Sequence, residues 1–188
     1  CASFGLLSEH QYRKLKDAGV SRVHNNLETS PQYFPNICTT HTFQDKINAI
    51  KAARSVGLTV CSGGIMGLGE TVEDRIDMAL RELKIENIPI NILNPVPGTP
   101  FENNKILSMC EVRRIIATYR FMIPRGEIRL SGGRGNMPDR GISCFTSGAN
   151  AAISGQLLTT SGITLKSDLE VIEKLGYKMT CRQKNKLS

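Results

Sequence analysis

The sequence predicts an α/β fold, a (β/α)8 TIM-type barrel whose first two or three strands are absent from these 188 residues. Three observations lead there. Short apolar, strand-like runs alternate with amphipathic helices, which implies a parallel sheet. Polar residues recur at the C-terminal ends of successive strands, namely Cys1, Asn26, Cys61, Asn91 and Arg129. A barrel brings those ends to one mouth, whereas a doubly wound sheet would carry one glycine fingerprint near its start and an acid about 20 residues on. Finally, only five strand-like runs are visible, with Cys1 ending a sixth, so a closed barrel needs strands from before residue 1.

The helices announce themselves by a repeated cap: Ser or Thr, an acid or Gln three residues later, then an apolar stripe. Ser8 and Gln11 open the first, which Gly19 stops; Val20–Val23 follows as a strand ending in the polar run 24–30. Thr42 and Asp45 open the second helix, with Phe43, Ile47, Ile50 and Ala53 inward, and Gly57 ends it. Leu58–Val60 is the next strand, stopping at Cys61; Gly63, Gly64, Gly67 and Gly69 follow, and Thr71 with Asp74 starts a helix with Val72, Ile76, Ala79, Leu80 and Leu83 on one face. This strand, glycine turn and helix are the centre of the chain, although tight βα turns need glycine for steric reasons alone. Ile88–Leu93 is a strand interrupted by Asn91. Ser108 and Glu111 open a helix with Val112, Ile115, Ile116 and Tyr119 inward, ended by Pro124. Glu127–Ser131 and Cys144–Gly148 read as the last strands, and Ser167 with Glu170 as the start of a final helix stopped by Gly176.

Composition excludes several function classes. The apolar fraction of 40% suits a globular chain, and no run is long or apolar enough to span a bilayer. The net charge of +7 owes four charges to Lys178, Arg182, Lys184 and Lys186, so residues 1–176 form the barrel portion and 177–188 a basic tail. With 5% aromatics and no Trp, the basic stripe interleaved with aromatics that a nucleic-acid groove needs is missing. Six cysteines without a C-x-x-C pair or a secretory context point to a cytoplasmic chain, not a disulfide framework or zinc finger.

Several stretches, in order, resemble the biotin synthases of the radical S-adenosylmethionine superfamily. They are Cys-Ala-Ser-Phe-Gly-Leu-Leu-Ser at 1–8, Asn26-Leu-Glu-Thr-Ser30, Thr39-Thr-His-Thr42, Val60-Cys-Ser-Gly-Gly-Ile65 with Gly67-Leu-Gly-Glu-Thr71, Pro89-Ile-Asn91, Gly98-Thr-Pro100, Arg129-Leu-Ser131 and Gly148-Ala-Asn150. The resemblance implies a barrel with a [4Fe–4S] cluster that cleaves S-adenosylmethionine reductively and a deeper [2Fe–2S] cluster that donates sulfur to dethiobiotin. A 5′-deoxyadenosyl radical would abstract hydrogen from C9 and then C6, each carbon radical being quenched by cluster sulfide. It further implies a flavodoxin- or ferredoxin-type electron donor and a cytoplasmic homodimer in the full-length sulfurtransferase.

Carried over residue by residue, Cys1 and Cys61 are similar to thiolate ligands of the [2Fe–2S] cluster, and Arg129 to its guanidinium ligand. Asn26 and Glu28 resemble the residues that hold the ribose of S-adenosylmethionine, and Ile65 the residue packed on its adenine. Asn91 resembles the partner of the dethiobiotin ureido group, with Asn26 also near the substrate. His24 stands where the family often has a substrate-contacting Asn, and the Cys-x3-Cys-x2-Cys segment for the [4Fe–4S] cluster is not in this sequence. The resemblance therefore implies an inactive isolated chain. Two alternatives accompany it: a paralogous radical maturase of the same barrel, or a non-catalytic partial barrel.

Overall fold

The computed structural model describes residues 2–78, 83–155 and 162–179. Cys1, Ala79, Leu80, Cys181 and the tail residues Arg182, Lys184 and Lys186 lie outside them. The chain divides into two compact units, Cys1–Ile153 and Ser154–Ser188.

Among the described residues the first unit holds six strands in one parallel sheet: β1 (Arg22–His24), β2 (Thr59–Cys61), β3 (Gly64–Met66), β4 (Asn87–Ile92), β5 (Glu127–Leu130) and β6 (Ala151–Ala152). Their order is β1-β2-β4-β5-β6, with β3 also paired to β4, and every pairing is parallel. Ala2 bridges Val23 in parallel on the outer side of β1, so chain continues the sheet beyond that strand. This is a partial (β/α) barrel, as the alternation of elements predicts.

β2 and β3 are two pieces of one strand. Cys61 faces Asn87 and Gly64 faces Ile90, the same offset on both sides of the break at Ser62–Gly63. Ser62 N–H donates to Asn87 O at 3.0 Å, but the next ladder bond would come from Pro89, which has no N–H. A missing donor in the neighbouring strand thus interrupts the ladder without changing its register.

The helices of this unit are α1 (Glu9–Asp17), α2 (Phe43–Ser55), α3 (Val72–Ile76), α4 (Met109–Met122) and α5 (Ile142–Thr146). Reciprocal capping boxes open α1 to α4 at Ser8/Gln11, Thr42/Asp45, Thr71/Asp74 and Ser108/Glu111, as the sequence predicts. Ile47, Ala49, Ile50 and Ala53 of α2 and Val112, Ile115, Ile116 and Tyr119 of α4 are buried.

Three expectations are corrected. Residues 144–148 are not a strand: Cys144 and Phe145 are buried in α5, where the Asp139 carboxylate accepts from the N–H of Gly141 and Ser143, each at 2.9 Å, and caps the turn. The strand comes later, as β6. The helix opened by Thr71 ends at Ile76, and Val72 and Ile76 are exposed. Its inward contacts are polar instead: Arg75 Nε meets Glu70 at 2.7 Å, the Tyr119 hydroxyl donates to Arg75 O at 2.6 Å, and Asp74 accepts from Ser30. The final helix, α6 (Leu165–Lys174) in the second unit, is capped by Thr164, whose hydroxyl accepts from Ser167 N–H, three residues before the expected cap. That unit also contains the antiparallel bridge Gly155–Ile163 and a hydrogen bond from the Ser154 hydroxyl to the buried Asp168 carboxylate.

Arg120, near the end of α4, ties the starts of β5 and β6 together. Its Nε donates to Gly148 O at 2.9 Å, and NH1 reaches the carbonyls of Ile123, Pro124 and Gly126 at 3.1, 2.9 and 2.9 Å. Arg120→Ala leaves several half-buried carbonyls without this donor and is expected to lower unfolding free energy by roughly 1–3 kcal/mol. Arg120→Lys is expected to recover little of it, since an ammonium cannot fork between the two loops. Urea unfolding of the two variants checks this; an unchanged midpoint in both would contradict the clamp.

Candidate functional site

Because side chains alternate along each strand, the sheet has two chemically different faces. Val23, Val60, Ile88, Ile90, Ile92, Ile128 and Leu130 share one face and are buried. The opposite face is polar, and the register arranges it in rows. One row runs His24, Cys61, Asn87, Glu127; each is the register partner of the next. Above it, Pro89, Arg129 and Ala151 form a second row, and Ile65 and Asn91 are partners in a third.

Cys61 is buried at the centre of the first row. Its Sγ–H donates to Asn87 Oδ1 at 2.8 Å, and Arg129 NH1 donates to the same sulfur at 3.7 Å. Burial pushes the Cys61 thiol up, opposed by the Arg129 and Arg22 charges. Arg129 NH2 also contacts Glu127 Oε2 at 3.3 Å, and the carboxylate lies 3.9 Å from Arg22. His24 is held below the usual histidine range, first by burial and then by the charges of Arg129 and Lys46. A neutral imidazole near pH 7 follows.

Asn26 and Glu28 sit where β1 departs from regular pairing. Leu27 and Glu28 N–H both donate to Gly63 O, at 3.0 and 3.2 Å, so one extra residue is accommodated opposite Gly63. Glu28 takes φ +72, a conformation costly for a residue with a Cβ, and its carbonyl accepts from Ile65 N–H at 2.8 Å. This bulge turns the carboxylate back towards Asn26, whose Nδ2 reaches Glu28 Oε2 at 3.4 Å while its Oδ1 accepts from Gly63 N–H at 3.1 Å. Burial raises the Glu28 carboxyl, with Lys46 and the Asn26 contact opposing.

Packing explains the first two glycines of the central turn: a Cβ at Gly63 would lie 2.0 Å from Pro89 O, and one at Gly64 2.5 Å from Glu28 O. The rest of the turn is tied down by Glu70, which is buried, accepts from Gly67 N–H at 2.8 Å and pairs with Arg75. Asn91 links the third row to β3 and β5, donating to Gly64 O at 3.2 Å and accepting from Gly132 N–H at 3.0 Å. Among the described residues, one N–H and one oxygen lone pair of its amide have no further partner.

Of the residues the sequence singles out, Cys61 and Arg129 are brought into contact, Asn26 and Glu28 into a second contact, and His24, Ile65 and Asn91 share their face of the sheet. Cys1 lies outside the described residues. Arg22, Asn87, Glu127 and Lys46 were missed. The alternations Asn87-Ile-Pro-Ile-Asn91 and Glu127-Ile-Arg129 carry the signal for two of them; nothing local marks Arg22 or Lys46. A cavity of about 380 Å³ lies at the other end of the strands, between Lys84–Glu86 and Met122–Gly126. Lys84, Glu86 and Arg125 line it together with the apolar Ile85, Met122, Ile123 and Pro124.

A buried sulfur on a rigid strand is the donor type that suits an iron–sulfur cluster, whereas a guanidinium has no lone pair to offer a metal, so a ligand role for Arg129 rests on the family resemblance alone. Among the described residues no three His, Cys, Asp or Glu side chains converge on a point, so the donor set for a cluster held by three thiolates is not found there. No helix among them is long and apolar enough to cross a membrane.

Residues 1–81 match the radical SAM superfamily and residues 89–178 the Biotin and Thiamin Synthesis associated domain. A protein named biotin synthase from Brachyspira hyodysenteriae is 60% identical over 185 residues, covering 97% of this chain and 56% of that protein. One of the same name from Clostridium botulinum is 55% identical over 181 residues, covering 95% and 57%. The chain thus spans a little over half the length of these relatives and corresponds to their C-terminal portion. Methylornithine synthase (PylB) superposes with a TM-score of 0.79 at 21% identity, over 94% of this chain and 57% of that one. The hydrogenase maturase HydG from Carboxydothermus hydrogenoformans gives 0.73 at 18%, over 93% and 46%. At such identities these two show the fold alone.

Burial of Glu28 has a pH signature. Its folded carboxyl is raised, so the native state binds more protons than the unfolded one just above the ordinary value of 4.5, and stability falls as pH rises through that window. Glu28→Gln is expected to flatten this slope without lowering the thermal midpoint at neutral pH. Thermal melts across pH 4–8 check it; a lower neutral midpoint in the variant would mean that the carboxylate stabilises the fold.

Proposed function

From the matches of residues 1–81 to the radical SAM superfamily and of residues 89–178 to the Biotin and Thiamin Synthesis associated domain, we propose that the chain is part of a biotin synthase, an enzyme that inserts sulfur into dethiobiotin. The observation that carries this reading is the Cys61–Arg129 contact in the middle of the polar face. The high identity to proteins of that name supports it.

In this reading Cys61 and Arg129, with Cys1, hold a [2Fe–2S] cluster, which when bound supplies the sulfur atom. Their placement on β2 and β5, both paired to the intervening β4, holds the two side chains rigidly, and the buried position keeps water from the sulfur. Asn26 and Glu28 bind the ribose of S-adenosylmethionine; the bulge aims an acceptor-only carboxylate beside an amide, a pairing suited to two hydroxyl donors. Ile65 presents an apolar surface to the adenine. The free donor and acceptor of Asn91 match the N–H and C=O of the dethiobiotin ureido group. Neutral His24 adds a further polar contact for dethiobiotin without bringing a charge to the face. No ligand set for the [4Fe–4S] cluster that would bind and cleave S-adenosylmethionine is found among the described residues. The full-length protein is taken to be a cytoplasmic homodimer reduced by a flavodoxin or ferredoxin.

Asn91→Ala in the full-length enzyme is expected to weaken dethiobiotin binding by roughly 1–3 kcal/mol, because the ureido group loses its partner. S-adenosylmethionine affinity should stay the same, whereas Glu28→Ala should show the reverse pattern. Equilibrium binding of both ligands to both variants, alongside biotin formation by the parent, checks this. Equal losses of both ligands in Asn91→Ala would reduce Asn91 to its structural role between β3 and β5, and an inability of the parent to form biotin would remove the reading.

A further inference from the structure

Arginine is a long side chain, and a guanidinium aimed at one sulfur needs something to hold its other edge. Arg129 has such a partner on its own strand. Glu127, two residues earlier and on the same face, accepts from NH2 at 3.3 Å, while NH1 points to Cys61 Sγ at 3.7 Å. The two edges of the fork are therefore divided between a carboxylate and a sulfur.

The carboxylate is in turn held from two sides. Asn87, its register partner on β4, donates through Nδ2 to Glu127 Oε2 and accepts the Cys61 thiol hydrogen through Oδ1 at 2.8 Å. An ionised carboxylate only accepts, so the Asn87 amide has one productive orientation: nitrogen to Glu127, oxygen to Cys61. Arg22 NH1 lies 3.9 Å from the same carboxylate oxygen, which thus sits between two guanidinium groups and screens them from each other.

We propose that Glu127, held by Asn87 and Arg22, is a positioning residue that fixes the Arg129 guanidinium with one edge on the carboxylate and the other presented to Cys61 and the cluster. The proposal rests on the reading of Cys61 and Arg129 as ligands of the sulfur-donating [2Fe–2S] cluster. It explains why an acid is placed on the polar face two residues before the arginine, and why an amide stands between that acid and the cysteine.

The test uses the reconstituted full-length holoenzyme. Glu127→Gln keeps the shape and removes the charge. Expected are a changed visible circular dichroism spectrum of the cluster and a roughly tenfold faster loss of iron to a chelator, the size seen when partners of metal ligands are removed. Far-UV circular dichroism and the thermal midpoint of the metal-free protein should be unchanged, and Glu127→Asp should restore part of the parent spectrum. Cys61→Ser is the reference. If it alters the spectrum while Glu127→Gln leaves both spectrum and iron loss as in the parent, the positioning role is overturned and the cluster reading stands. If neither variant alters the spectrum, the cluster reading falls and takes the proposal with it. Should Glu127→Gln fail to fold, Asn87→Ala, which releases the carboxylate without removing its charge, is read in the same way: a changed spectrum supports the role and a silent one overturns it.

Discussion

A parallel strand buries both of its faces, and this sheet depends on the two faces being kept apart by a register that does not slip. From β1 through β5 the pairing puts His24, Cys61, Asn87 and Glu127 in one row. Shifting β4 by a single residue would bring Ile88, Ile90 and Ile92 onto the polar face and drive Asn87, Pro89 and Asn91 into the apolar face. The apolar face stabilises the fold by burial; the polar face, with two arginines, a glutamate, a histidine and a buried thiol, works against it. Such a surface persists because its charges pair with one another, and it is the chemistry of a site, not of a core.

The irregularities act together. Pro89 withholds one ladder bond and brings its carbonyl so close to residue 63 that only glycine fits there. The carbonyl of that glycine takes two N–H donors from β1, and the extra residue this accommodates throws Glu28 into a left-handed conformation with its carboxylate turned to Asn26. Backbone strain and a raised carboxyl coincide at one residue, the pattern expected where stability is given up for binding.

Much of this was legible in the sequence, for identifiable reasons. Capping boxes are local chemistry, and four of five were read correctly because Ser or Thr with an acid or Gln at the third position satisfies the same two N–H groups in any context. The strands at 59–61, 87–92 and 127–130 were legible from β-branched residues and alternation. Cys144–Gly148 misled because a buried Cys-Phe pair looks alike in a strand and in a helical turn; the deciding group, the Asp139 cap, lies five residues upstream of Cys144. Val72 and Ile76 misled because polar tertiary contacts of Arg75 and Asp74 decide which face of α3 turns inward. Asn87 and Glu127 gain meaning only through register, a property of strand pairs that no single stretch of sequence displays.

In the proposed reading, Cys61 and Arg129 together hold iron at the middle of the polar face. Anomalous scattering at the iron absorption edge, from crystals of the full-length protein, measures this most directly. Expected is a pair of iron peaks with one at bonding distance from Cys61 Sγ and from a nitrogen of Arg129. Iron found only elsewhere, with the Cys61 thiol still hydrogen-bonded to Asn87 in the metal-loaded crystal, would contradict it.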